Sequence, residues 1–146
     1  MSLNIIKKLF SRLLIGKIIR YRQLVHKEKN IPKVYSYMHD ISGIEYLRNG
    51  AWEWQNIENI KSLVESGQIN SKIFLDIGAN IGFFSCNLLN HFNKILAFEP
   101  HPIANLVLNA NALLVSGSSK NKEVIKTYKL GLGKEDDEIF ISSGKS

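Results

Sequence analysis

Asp76 and Glu99 stand 23 residues apart, each closing a short apolar run, and a glycine-rich turn follows the first. The first run reads KIFLD over residues 72–76 and passes into Gly78-Ala79-Asn80-Ile81-Gly82; the second reads ILAFE over residues 95–99 and passes into Pro100-His101-Pro102. An apolar run that ends in an acid and then turns on glycine is the pattern of a buried strand handing over to a helix. In a parallel α/β sheet, small charged ligands sit at that junction, beyond the carboxyl end of the strand and against the helix start. An acid ending the next strand is placed to accept hydrogen bonds from both hydroxyls of a ribose lying across the first turn. The spacing therefore predicts a nucleoside ligand, with Asp76, Gly78, Ala79, Asn80, Gly82, Glu99, Pro100 and His101 as candidate contacts. Each acid also has a plainer reading: Asp76 capping amides of its own turn, Glu99 solvated at a strand end. His101 reads first as a surface or capping residue, although its place beside Glu99 allows contact with an adenosine.

The glycines bear on which nucleoside. A dinucleotide fingerprint is Gly-x-Gly-x-x-Gly, whose close backbone approach serves a pyrophosphate; here the turn is Asp-x-Gly-x-Asn-x-Gly. A carboxylate beside the turn repels phosphate but suits the ammonium group of an amino acid. That favours S-adenosylmethionine over NAD, with its amino-acid end at Asp76 and the amides of Gly78 to Gly82, and its ribose at Glu99.

The elements that must position these residues follow from periodicity. Trp52-Glu53-Trp54 after Gly50, followed by Ile57, Ile60, Leu63 and Val64 at helical spacing, reads as an amphipathic helix with a glycine stop at Gly67. After the turn, Ile81, Phe84, Leu88, Leu89 and Phe92 recur at helical spacing. Pro102 suits the first turn of a further helix, whose expected core face is Ile103, Leu106, Val107, Ala110, Leu113 and Leu114, with Asn109 and Asn111 on the polar face. Val124 to Leu130 alternates as a third strand. Glu138 to Ser142 reads as a short strand too close behind for a crossover, so the two are expected to form an antiparallel hairpin. Between residues 34 and 50 only short strands around Val34–Met38 and Ile44–Leu47 are discernible. Cys86, the single cysteine, excludes an internal disulfide and reads as a small core residue in a reducing compartment. The histidines His26, His39 and His91 are too scattered to hold a metal.

Charge divides the chain in two. Residues 1–33 hold nine Lys and Arg against the single Glu28, whereas residues 34–146 hold ten against twelve acids. The excess of +6 is therefore confined to an N-terminal arm, and the body, near neutral, argues against a nucleic-acid groove. In the arm, Leu3, Ile5, Ile6, Leu9, Phe10, Leu13 and Leu14 fall on one side of a helix and Asn4, Lys7, Lys8, Ser11 and Arg12 on the other. This reads either as a helix lying on an anionic membrane surface through residues 3–22, or as one packed on a domain with its charges solvated. No apolar run is long enough to span a bilayer, and no cleavable leader is evident. The expectation is a cytoplasmic protein with an arm over 1–33 and an α/β domain over 34–146, peripheral membrane contact being the alternative.

FLDIGANIGFFS followed by LAFEPHPIANLVLNAN resembles the FkbM-type family of S-adenosylmethionine-dependent methyltransferases, the match running from about Trp52 to Ser142. The resemblance implies the class I Rossmann-like fold, O-methylation of a hydroxyl on a sugar, glycolipid or similar acceptor, and cofactor contacts at Asp76, Gly78, Asn80, Gly82 and Glu99. In that fold the strands run 3-2-1-4-5-7-6, so the chain would supply strands 3-2-1 and a hairpin, an incomplete domain without its acceptor half. A truncated reading frame is the expectation, with a partner chain or oligomer covering the open sheet edge as the alternative. No general base can be named. The competing functions are a catalytically inactive fragment and a membrane-surface binding module; a NAD-binding oxidoreductase is disfavoured by the glycine spacing.

Overall fold

The computed structural model describes Lys17 and residues 34–36, 53–117, 124–135, 137, 138, 140 and 141. The amphipathic arm over 3–22, the boundary at 33 and the strand around Ile44–Leu47 lie outside the described residues. Val34, Tyr35 and Ser36 carry no strand. The chain divides into two compact units, one of Met1–Pro32 and Ser36–Trp54, the other of Lys33–Tyr35 and Gln55–Ser146. The second contains the three strands and every residue of the candidate site.

Helix α1 (Trp54–Glu65) buries Ile57 completely and ends on Gly67. Gly67, at φ 74°, donates its N–H to the Val64 carbonyl while Gln68 donates to that of Leu63. These two bonds are the Schellman arrangement, in which only a left-handed residue lets the chain reverse and satisfy the last carbonyls. The glycine stop is thus where the sequence places it.

Three strands follow, β1 (Ile73–Ile77), β2 (Lys94–Phe98) and β3 (Ile125–Tyr128), separated by α2 (Phe83–Asn87) and α3 (Pro102–Ser116). They form one parallel sheet in the order β1-β2-β3, with Leu75 opposite Leu96 and Ala97 opposite Thr127. Parallel neighbours need crossover connections, which here carry the helices. Side chains alternate across a strand, so Phe74, Asp76, Ile95 and Ala97 share one face and Ile73, Leu75 and Ile77 the other. On the first face Ala97 packs with Ala79, Leu108 and Ile125, and the Phe74 ring lies 5.1 Å from that of Phe92. On the second, Ile73, Leu75 and Ile77 remain 53, 53 and 62% exposed. Phe98 and Tyr128, in register, stack at 4.9 Å with their planes 11° apart. Among the described residues no helix is long and apolar enough to cross a membrane.

The α/β class and the three strands agree with the sequence reading; besides the strand expected around Val34–Met38, three expectations do not. The helix after the glycine turn is a single turn, not the span from Ile81 to Phe92. Asn87 donates its side-chain amide to the Phe83 carbonyl, and the chain leaves helical geometry at Leu88. Leu88, Leu89 and Phe92 are buried from a turn instead. The apolar stripe expected to face the core on α3 faces out, with Leu106 and Leu113 exposed. Ala104, Asn105, Leu108, Asn111, Ala112 and Val115 are buried in its place. Buried carbonyls need donors, and this requirement outweighs the apolar stripe. Asn111, read as polar-face, is fully buried and donates to the Ile81 carbonyl at 2.7 Å and to that of Tyr35 at 3.0 Å. It also accepts the Tyr35 N–H. Finally, the hairpin is not formed among the described residues. Glu138, Phe140 and Ile141 carry no strand, Phe140 is almost wholly exposed, and β3 pairs only with β2. Glu138 bonds locally to the Asp137 side chain rather than across a ladder.

Candidate functional site

The turn after β1 reverses through three residues with positive φ: Gly78 at 75°, Asn80 at 49° and Gly82 at 82°. Asparagine is among the few side chains that tolerate the left-handed region. A Cβ on Gly82 would lie 2.5 Å from the Leu108 side chain, so glycine there also permits the close approach of the turn to α3. A Cβ on Gly78 would meet nothing within 4 Å, and that part of the turn borders open space.

The turn is latched to the end of β2. The N–H groups of Gly78 and Ala79 both donate to the Phe98 carbonyl at 3.0 Å, and that of Gly82 to the Ala79 carbonyl at 2.8 Å. The Asn80 N–H donates to Glu99 Oε2 at 2.9 Å, and the His101 N–H to Glu99 Oε1 at 2.8 Å. Glu99 therefore bridges the first turn and the second with one oxygen on each. Its own N–H is held by the Tyr128 carbonyl at 3.0 Å.

Asp76, one residue inside the end of β1, is almost fully buried. Its Oδ2 accepts both the Ser85 hydroxyl and, at 3.1 Å, the Ser85 N–H, which leaves Oδ1 without a hydrogen bond among the described residues. Burial raises its pKa above the usual carboxylate value; the two Ser85 bonds oppose that shift and the nearby charge of Glu99 adds to it. The same burial, with a contribution from Asp76, pushes the Cys86 thiol up to about 12. That suits a core cysteine and excludes a reactive thiolate at neutral pH.

The remaining candidates divide. His101 caps α3, its Nδ1 accepting the Ala104 N–H at 3.3 Å, with Pro102 in the first helical position. Pro100 is half-buried between the two acceptors of the second turn. Ala79 gives its side chain to the core beside Ala97 and Leu108, so only its backbone could meet a ligand. Sequence reasoning missed Ser85 and Asn105. Ser85 was findable: a hydroxyl in the first turn after a buried acid is the partner such an acid needs. Asn105 gave no sequence signal, because its role depends on two strand ends that only the fold brings together. Among the described residues no cluster of three or more His, Cys, Asp and Glu side chains is placed to hold a metal.

Set beside protein-family models, curated proteins and solved structures, the chain matches none of them.

Proposed function

We propose that the crevice between the first and second turns binds S-adenosylmethionine, and that the chain is the cofactor-binding part of an FkbM-type methyltransferase acting on a hydroxyl of a sugar, glycolipid or similar acceptor. The observation that carries this reading is the pair of buried acids toward the ends of adjacent parallel strands, flanking a turn four of whose five amides are already used. The N–H groups of Gly78, Ala79, Asn80 and Gly82 all have partners within the chain. The turn consequently offers no ring of free amides to a pyrophosphate, the feature on which dinucleotide sites depend, and the amino-acid end expected at the amides of Gly78 to Gly82 finds only that of Ile81 unengaged among the described residues. What it offers is negative charge and acceptors. Oδ1 of Asp76 is available to an ammonium group, and each Glu99 oxygen, holding a single N–H, keeps acceptor capacity for a ribose hydroxyl.

The residues present fit such a ligand. Asp76 would hold the amino-acid end, Glu99 the ribose, and the open space beside Gly78 leaves room for the chain linking them. When bound, the cofactor supplies an electrophilic methyl group for an acceptor oxygen. The contribution of this chain is to orient the nucleoside between its two carboxylates. The test is selectivity: S-adenosylhomocysteine should raise the melting temperature of the wild-type chain, and NAD at the same concentration should leave it unchanged. The opposite order would replace the methyl-donor reading with a dinucleotide one.

A further inference from the structure

Asn105 belongs to neither turn, yet its buried side chain reaches the end of two strands. Its Nδ2 donates to the main-chain carbonyls of Glu99 and Tyr128, 3.3 Å from each. Its Oδ1 accepts from Asn109 Nδ2 at 2.9 Å, and the same Asn109 nitrogen donates to the Asn105 carbonyl at 2.7 Å. Asn109 Oδ1 in turn accepts the hydroxyl of Thr127, in β3. Two carbonyl oxygens can be faced only by an amide nitrogen, so the Asn105 amide has one orientation. That fixes Asn109, and Thr127 completes the sequence as donor. The polar chain runs in one sense, from the middle of β3 to the acid that ends the β2 segment.

All the polar groups of Glu99 are thereby held: its N–H by Tyr128, its carbonyl by Asn105, its carboxylate oxygens by Asn80 and His101. Among the described residues Asn105 supplies the side-chain donor to its main chain. We propose that Asn105 is a positioning residue for the nucleoside site: it acts through Glu99, setting where the carboxylate meets a ribose, and Asn109 and Thr127 hold it in place. This inference rests on the nucleoside reading above. A carboxylate that must accept two hydroxyls at once tolerates little displacement, which gives a brace on its backbone a function beyond stability.

The experiment measures, by calorimetry, the affinities of the full chain for S-adenosylhomocysteine and for its 2′,3′-dideoxy analogue, which lacks the ribose hydroxyls. In the wild type the parent should bind at least about tenfold more tightly than the analogue. Asn105→Ala should erase most of that preference while leaving affinity for the analogue within about twofold. In a Glu99→Ala background the same substitution should change nothing further, because the two act as one unit. A purely structural brace would lower the melting temperature and leave the preference intact, which would overturn the proposal. Should Asn105→Ala not fold, Thr127→Val, which keeps the shape and removes only the first donor, decides by the same ratio: a reduced preference supports the proposal and an unchanged one overturns it. No binding of the parent compound by the folded wild-type chain would overturn the nucleoside reading itself; wild-type binding with an unmoved preference in the variants would overturn the inference alone.

Discussion

At the scale of single residues, Asp76 is a buried carboxylate whose charge opposes folding and on which the proposed function depends. Its folded pKa lies above the unfolded value of 3.8, so between the two the folded chain binds more protons than the unfolded one. Stability therefore falls as pH rises through that window, and the penalty is fully present above it. Under the proposed function ligand binding would run the other way, because an ammonium group needs the carboxylate. Asp76→Asn keeps an oxygen for the two Ser85 bonds and removes the buried charge. Its denaturant midpoint should depend less on pH above the unfolded value of 3.8 and be no lower than wild type at neutrality, while affinity for S-adenosylhomocysteine falls at least about tenfold. A variant less stable at neutral pH would show that the charge itself supports the fold. Cys86 supplies an independent check of the same buried environment. With its thiol near 12, about one molecule in ten thousand is thiolate at pH 8, so a thiol reagent should label the folded chain orders of magnitude more slowly than the chain in denaturant. Fast labelling of the folded chain would place the cysteine outside the core.

At the scale of elements, α3 decides between two ways of burying a helix. Its apolar stripe and its asparagines lie on different sides, and the fold buries the asparagines where their side-chain amides donate to carbonyls of the strand ends and of the turn. Asn111→Leu removes partners from Ile81 and from both polar groups of Tyr35 and should cost about 2–4 kcal/mol in chemical denaturation. Leu106→Lys, on a position 70% exposed, should stay within about 0.5 kcal/mol. The reverse order would restore the apolar stripe as the core face. This is also where the sequence stopped being legible. The strands and the glycine stop of α1 were readable because each is marked locally, by an apolar run or by a residue that must take positive φ. The face of α3 was not, since apolar periodicity records where a helix could be buried and says nothing of carbonyls that a distant strand end leaves unsatisfied. The length of α2 failed similarly: Leu88, Leu89 and Phe92 have helical spacing, and a turn buries them as well.

At the scale of the whole molecule, the sheet register sets Asp76 opposite Ala97, with Glu99 two residues further on, so that both acids lie toward the carboxyl end of the sheet, where parallel α/β folds hold their ligands. Of the candidate site, the two acids and the glycine turn were legible in the sequence; the latch that joins them was not, because it consists of backbone amides given to Phe98 and Glu99. The sheet face bearing Ile73, Leu75 and Ile77 stays open, although all-parallel sheets ordinarily have both faces covered. The site lies on the covered side: Asp76 shares its face with Ala97, and its carboxylate is tied to α2 through Ser85.

We propose that two carboxylates and a turn with a single amide, that of Ile81, spare among the described residues form a site for a nucleoside carrying an amino acid. Calorimetric titration of S-adenosylhomocysteine into the wild-type chain and into the Asp76→Ala/Glu99→Ala variant tests it most directly. The account predicts micromolar binding by the wild type and a loss of at least about a hundredfold in the folded double variant. Equal affinity in both, or no binding by a folded wild-type chain, would contradict it.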